Sequence, residues 1–205
     1  MKEKEIDVLR EALRSLMDGR RYRHTLGVEK EMRALASALA PELLFDAAVA
    51  ALLHDVTKRL SYEEQIAYCK KHGLSVDADE HIAPALLHAK TGAHFAQSNY
   101  PALATDAVCD AILRHTTAYP PLNLLSAMLF VADFTEETRE YPDCIKLREQ
   151  LHAVDLRAQE GMHHFKEVLL SALDLSLEEL LREGRPIALK TVEARNAVLQ
   201  KNLLF

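Results

Sequence analysis

Residues 45–55 read FDAAVAALLHD. From Phe45 to Leu53 the only charge is Asp46, and apolar side chains face every direction a helix can offer, which suits a helix packed on all sides. The segment starts at Pro41 and ends on His54 and Asp55, so two groups able to hold a metal stand at the end of a buried element. Such a helix needs others around it. On either side, apolar residues recur three and four apart among many Ala, Leu, Glu, Lys and Arg, with six glycines and no alternating β-branched run. This predicts an all-α fold. Breakers at Gly19, Pro41, Gly73, Pro101, Pro120-Pro121, Pro142 and Gly184-Arg185-Pro186 divide the chain into roughly nine helices.

The 205 residues are 49% apolar, enough to bury one core, and the expectation is a single domain over 1–205. A net charge of −6 and a pI near 5.9 leave no general basic field for a polynucleotide, so no nucleic-acid partner is expected. Cys69, Cys109 and Cys144 are odd in number and far apart, which fits a reducing cytoplasm rather than a disulfide framework. The N-terminal MKEKEIDVLREALRSLMDG is charged throughout and reads as an amphipathic helix, not a signal peptide. The longest stretch without Asp, Glu, Lys or Arg, His115 to Ala132, is interrupted by prolines, threonines and Asn123, so no membrane span is expected.

Ten histidines are the anomaly in this helical frame. His24 shares a stripe with Val28, Met32, Leu35 and Leu39, and His115 shares one with Ala104, Val108 and Ala111. Asp133 shares a stripe with Leu122, Leu125 and Leu129, which aims a carboxylate at the core. A lone ionised Asp there costs several kcal/mol, roughly, so it needs a cation, a hydrogen-bond network or a raised pKa. Taken singly, His24 reads as a hydrogen-bonded core histidine, Asp133 as a cap or an ion-pair partner of Arg139, and Asp55 as a turn cap. Together, His24, His54, Asp55, His115 and Asp133 offer imidazole and carboxylate without thiolate, a donor set for divalent iron, manganese, cobalt or zinc. His72, in KKHG, reads as part of a helix C-terminus, and His81 and His94 are set aside with it. His152, His163 and His164 read as surface residues.

The motifs RYRH (21–24), ALLHDVTK (51–58), LLHAKTGA (86–93), RHTTAYPP (114–121) and FVADFTEETREYPD (130–143), with a weaker KTVEAR (190–195), resemble HD-domain proteins. Within them the chain is similar to the YqeK-like group of symmetrical diadenosine-tetraphosphate hydrolases, over roughly residues 5 to 200. The resemblance implies a helical HD bundle with a metal-binding core at about 20–145 and C-terminal helices at 146–205 packed on it. It implies two divalent ions, iron first and manganese, cobalt or zinc after it, held by His24, His54, Asp55, His88, His115 and Asp133, with Asp55 bridging. His88 enters only on this ground. Where the family usually has LHGPVGA and HTTGRPGMS, this chain has LHAKTGA and HTTAYPPLN.

The implied reaction is diadenosine tetraphosphate plus water to two ADP. Two ions sharing a water lower its pKa from about 15.7 towards neutrality. Asp55 and Lys58 would serve catalysis, and Lys58, Thr116 and Arg139 would hold a dinucleoside polyphosphate. Lys58 and Arg139 also read as ordinary helix-end cations. Competing functions are an HD hydrolase for another nucleotide (a 5'-nucleotidase, or one for guanosine alarmones or cyclic dinucleotides), a non-catalytic nucleotide- or metal-binding protein, and a purely structural bundle. A homodimer leaves no mark in the sequence and stays open.

Overall fold

The structure, a computed structural model, describes residues 2–201 and 203–205. Eleven α-helices run through it, with no strand among the described residues. They are α1 (Lys2–Arg14), α2 (Gly19–Leu39), α3 (Leu44–Leu53), α4 (Tyr62–Lys71), α5 (Ala78–Ile82) and α6 (Leu87–Asn99), then α7 (Asp106–Arg114), α8 (Leu124–Thr135), α9 (Pro142–Leu151), α10 (Gly161–Arg182) and α11 (Leu189–Leu199). Short 3₁₀ turns at Pro41–Leu43 and Pro84–Leu86 lead into α3 and α6.

The all-α expectation holds, and the approximate figure of nine helices becomes eleven because breakers are not the only punctuation. The helices α4 and α5 open on reciprocal capping boxes, Ser61 with Glu64 and Asp77 with Glu80, which satisfy backbone donors at each start without Pro or Gly. Between Pro142 and Gly184 the chain breaks once more at residues 152–160. The returning loop passes so close to α10 that a Cβ on Gly161 would lie 2.1 Å from the Leu156 carbonyl oxygen, so glycine lets the break close.

As its composition requires, α3 is central: every residue from Ala47 to Leu53 is buried, and the helix packs on α1, α2, α7 and α8. The helix α8 is similarly enclosed from Leu125 to Ala132. Phe165, Val168, Leu169, Ala172 and Leu173 of α10 join the same apolar cluster, so the C-terminal helices share the core of the rest. No helix among the described residues is long and apolar enough to cross a membrane.

Candidate metal centre

The helix α2 starts at Asp18, whose carboxylate accepts from the backbone N–H groups of Arg20 and Arg21. One turn later His24 is buried, as are Val28, Met32 and Leu35 along the same stripe. His54 is the C-cap of α3 and His115 the C-cap of α7, where a chain leaving the helix turns its side chain back over the helix end. His88 is the second residue of α6, and Asp133 lies in the last turn of α8. All six ligand candidates converge on one point.

The Asp55 carboxylate is at the middle and its two oxygens face different partners. Oδ1 lies 3.2 Å from Nε2 of His88, 3.5 Å from Nε2 of His115 and 3.3 Å from Nζ of Lys58. Oδ2 lies 3.5 Å from Nε2 of His54 and 3.8 Å from Nε2 of His24, and accepts from Arg21 at 2.5 Å. Asp133 Oδ1 is 3.0 Å from Nε2 of His24 and 2.6 Å from the Arg139 guanidinium. The ion pair with Arg139 exists, and the same Asp133 oxygen also reaches the histidine cluster.

Three imidazoles are aimed by the same device. Nδ1 of His54, His88 and His115 sits 2.6, 2.5 and 2.6 Å from the carbonyl oxygens of Ala51, Ala85 and Ile112, each three residues earlier. A carbonyl only accepts, so each Nδ1 carries a proton and each Nε2 is the atom turned to the centre, where those of His88 and His115 lie 3.0 Å apart. His24 differs, with Nδ1 3.1 Å from the buried carboxylate of Glu136.

Burial pushes the imidazolium forms down, lowering His54 and taking His88 to about 4. For His24, burial works downward, but Asp133 and Glu136 outweigh it and raise the group to about 9. Burial opposes ionisation of Asp55 and Asp133, yet His54 and Lys58 around the first, and Arg139 and His24 around the second, hold both well below the usual carboxylate range. Both carboxylates are charged.

The donor set fits a metal. His54 Nε2 and Asp55 Oδ1 are buried without a hydrogen bond, and His24 Nε2 faces carboxylate oxygens of Asp133 at 3.0 Å and Asp55 at 3.8 Å. An unmet buried polar atom ordinarily costs about 1–3 kcal/mol, which a cation would relieve. Ligand atoms of His24, His54 and Asp133 lie within 4.8 Å of one another, as do those of His54, Asp55 and His115.

Two cavities open beside the cluster. One, about 820 Å³, is lined by Arg20, Arg21, Arg23, His24, Glu136 and Arg139 among others. The other, about 390 Å³, carries Lys58, His88, His115, Thr116, Asp133 and Arg139 at one end and mostly apolar walls beyond. So Lys58 and Arg139 touch the aspartates directly, while Thr116 stands in the wall beside His115. The departures from the family pattern divide: Thr91 lies 2.9 Å from Thr57 behind the cluster, whereas Lys90 bonds Glu80 and the Ser75 carbonyl, Tyr119 lies under Arg114, and both of these line a side cavity of about 210 Å³. Ala118, where the pattern has glycine, holds φ +53.

Sequence reasoning missed Glu136, Arg21, Arg148 and the Thr57–Thr91–Gln65 network. Thr57 Oγ1 is 3.0 Å from the His88 carbonyl oxygen and 2.9 Å from Thr91 Oγ1, and Gln65 donates to the Thr57 carbonyl, tying the turn after Asp55 to α6. Arg148 donates to the carbonyls of Thr135, Glu137 and Arg139, clamping the turn that carries Arg139. Glu136 follows Asp133 by three residues, so a second inward carboxylate at helical spacing was the available signal. Arg21 stands in the RYRH motif itself. Among the remaining histidines, His152 and His163 are exposed as expected; His164 is half-buried instead, its Nε2 2.8 Å from the Gln150 carbonyl oxygen, because α10 folds back on α9.

The chain is 29% identical over 179 residues to a Halalkalibacterium halodurans protein named symmetrical bis(5'-nucleosyl)-tetraphosphatase, covering 87% of this chain and 89% of that one. A Bacillus subtilis protein of the same name is 28% identical over 167 residues, with 82% and 83% covered. A Clostridium acetobutylicum crystal structure, described as a predicted HD superfamily hydrolase involved in NAD metabolism, superposes with a TM-score of 0.81 at 26% identity. It covers 95% of this chain and 97% of that one. The HD domain model matches residues 21–151, the stretch that contains all six clustered histidines and aspartates, and the chain belongs to the HD-domain family.

Proposed function

We propose that this protein hydrolyses dinucleoside tetraphosphates at their central anhydride, taking diadenosine tetraphosphate and water to two ADP. The observation that carries the reading is Asp55, whose two oxygens face separate histidine sets. The names of the two relatives support the substrate class. In this reading the whole chain, 1–205, acts as one domain, and its free cysteines suit a reducing compartment.

His24, His54 and Asp133 would hold one divalent ion and His88 and His115 a second, with Asp55 between them; iron is the first candidate, then manganese, cobalt or zinc. Such ions, when bound, supply a water acidified towards neutrality and positive charge for phosphate oxygens. The chain's own residues set the stage for that chemistry. Backbone carbonyls hold three imidazoles in one orientation, so no reorientation is needed when charge develops. Lys58 and Arg139, beside Asp55 and Asp133, place two cations where phosphate oxygens would lie, and Thr116 offers a hydroxyl next to His115.

The test is anion-exchange analysis of products after incubation with diadenosine tetraphosphate, with iron, manganese or cobalt supplied and a chelator-treated control. ADP as sole product, abolished by chelation, is the expected result. Cleavage only of a mononucleotide or a guanosine alarmone would keep the HD chemistry and move the substrate, a reading to which the altered 89–91 and 118–123 segments give some ground.

A further inference from the structure

The two cavities beside the metal centre differ in chemistry and in origin. At the centre end, the 390 Å³ cavity has walls from the family-matched part of the chain, including Lys58, Asp133 and Arg139. Its far wall comes from Ser176, Glu179 and Leu180 of α10 and from Arg185, Pro186 and Ala188 after it, all beyond residue 151, where the family match ends. Leu86 and Phe134 also line this cavity. The volume lies within the range of about 300–1,000 Å³ usual for small-ligand pockets, and apolar walls with a few polar groups suit a base and sugar. The 820 Å³ cavity is different: beside the carboxylates of Asp18, Glu136 and Glu140 it has four guanidiniums, those of Arg21 and Arg139 paired with Asp55 and Asp133 and those of Arg20 and Arg23 exposed, groups that pair with phosphate oxygens. Arg139 borders both cavities; of the clustered residues, His24 lines the larger and His88, His115 and Asp133 line the smaller.

A symmetrical cut requires equal arms on either side of the scissile bond, so the substrate must extend in two directions from the metal centre. We propose that its two halves are held by unlike means: one nucleoside enclosed in the apolar cavity walled by α10 and the turn after it, the opposite phosphate arm lying on the arginine ledge of α2. The metal chemistry then belongs to the family-matched core, and selection of the organic half belongs to the C-terminal helices. This rests on the dinucleotide reading above.

The experiment pairs two ligands with two kinds of variant, on metal-loaded full-length protein. The affinities of ADP and of inorganic pyrophosphate are both measured by calorimetric titration. Ser176→Trp, which fills the apolar cavity from a half-buried position, should weaken ADP by about tenfold or more while shifting pyrophosphate less than about twofold. The double variant Arg20→Ala with Arg23→Ala, both exposed, should weaken pyrophosphate by about fivefold and flatten its dependence on salt. Should Ser176→Trp melt early, Leu180→Asp on the same wall takes its place with the same expectation. Wild-type ADP affinity in a folded cavity variant, or equal losses of ADP and pyrophosphate in both kinds of variant, overturns the proposal. Absence of ADP formation by the wild type would instead sink the dinucleotide reading, and the titrations report on the cavity separately from turnover.

Discussion

Gly27 on α2 leaves the space that the Glu136 carboxylate occupies: a Cβ at 27 would lie 2.1 Å from Glu136 Oε2, while Glu136 Oε1 sits 3.1 Å from Nδ1 of His24. Thr138 also binds this carboxylate through its N–H and hydroxyl, at 2.7 Å each, so the carboxylate cannot swing away freely. Gly27→Ala should therefore displace Glu136 and loosen His24, lowering metal affinity by about 10- to 100-fold, the usual cost of losing a group that orients a ligand. Metal titration followed by elemental analysis reads this. Unchanged affinity would show that Glu136 has no part in aiming His24.

Asp55→Asn keeps the size of a buried side chain and removes the charge that both histidine sets face. Hydrolysis should fall to background and most metal should be lost, with helical circular dichroism retained; His54→Ala should do the same. A variant with full activity would refute the shared-carboxylate arrangement.

Metal removal should also show in stability. Ions present at a hundred times their Kd stabilise the folded state by about 2.7 kcal/mol, which for a chain of this size raises Tm by roughly 5–10 °C. Calorimetry with and without chelator decides it, and superimposable melting curves would argue against a built metal site.

Arg139→Ala removes a guanidinium that touches Asp133 through both its carboxylate and its backbone carbonyl. Because Arg139 is a cation, its loss should leave the ligand atoms in place and cost about 10²- to 10³-fold in kcat/KM, as for other groups that meet developing charge. Steady-state kinetics beside metal analysis separates the two effects; a metal-free variant would assign Arg139 to holding Asp133.

Thr57→Val keeps the shape of a fully enclosed side chain but deletes the hydroxyl shared with the His88 carbonyl and Thr91. Stability to urea should drop by about 1–3 kcal/mol. A smaller change would mean that Thr91 and Gln65 satisfy each other without it.

Helical periodicity is a local property, and this sequence carries it strongly. The burial of α3, the inward stripe through His24 and the inward face of α8 ending at Asp133 were all legible, because i, i+3 and i+4 spacing turns directly into one face of a helix. His88 was not legible in this way: Pro84 hides the start of α6, and only the family resemblance named the residue. The count of helices fell short because capping boxes and a glycine-permitted loop end helices as effectively as proline does.

By itself, then, the sequence determined the all-helical class, the residue types able to hold a divalent ion, and most of the positions that turn inward. Tertiary structure decided which atoms meet. Glu136 reaches His24 across 112 residues, Thr57 reaches the His88 carbonyl across 31, and α10 brings Leu180 to the same cavity as Lys58. No spacing rule encodes those distances, because they depend on how packed helices cross rather than on how one helix repeats.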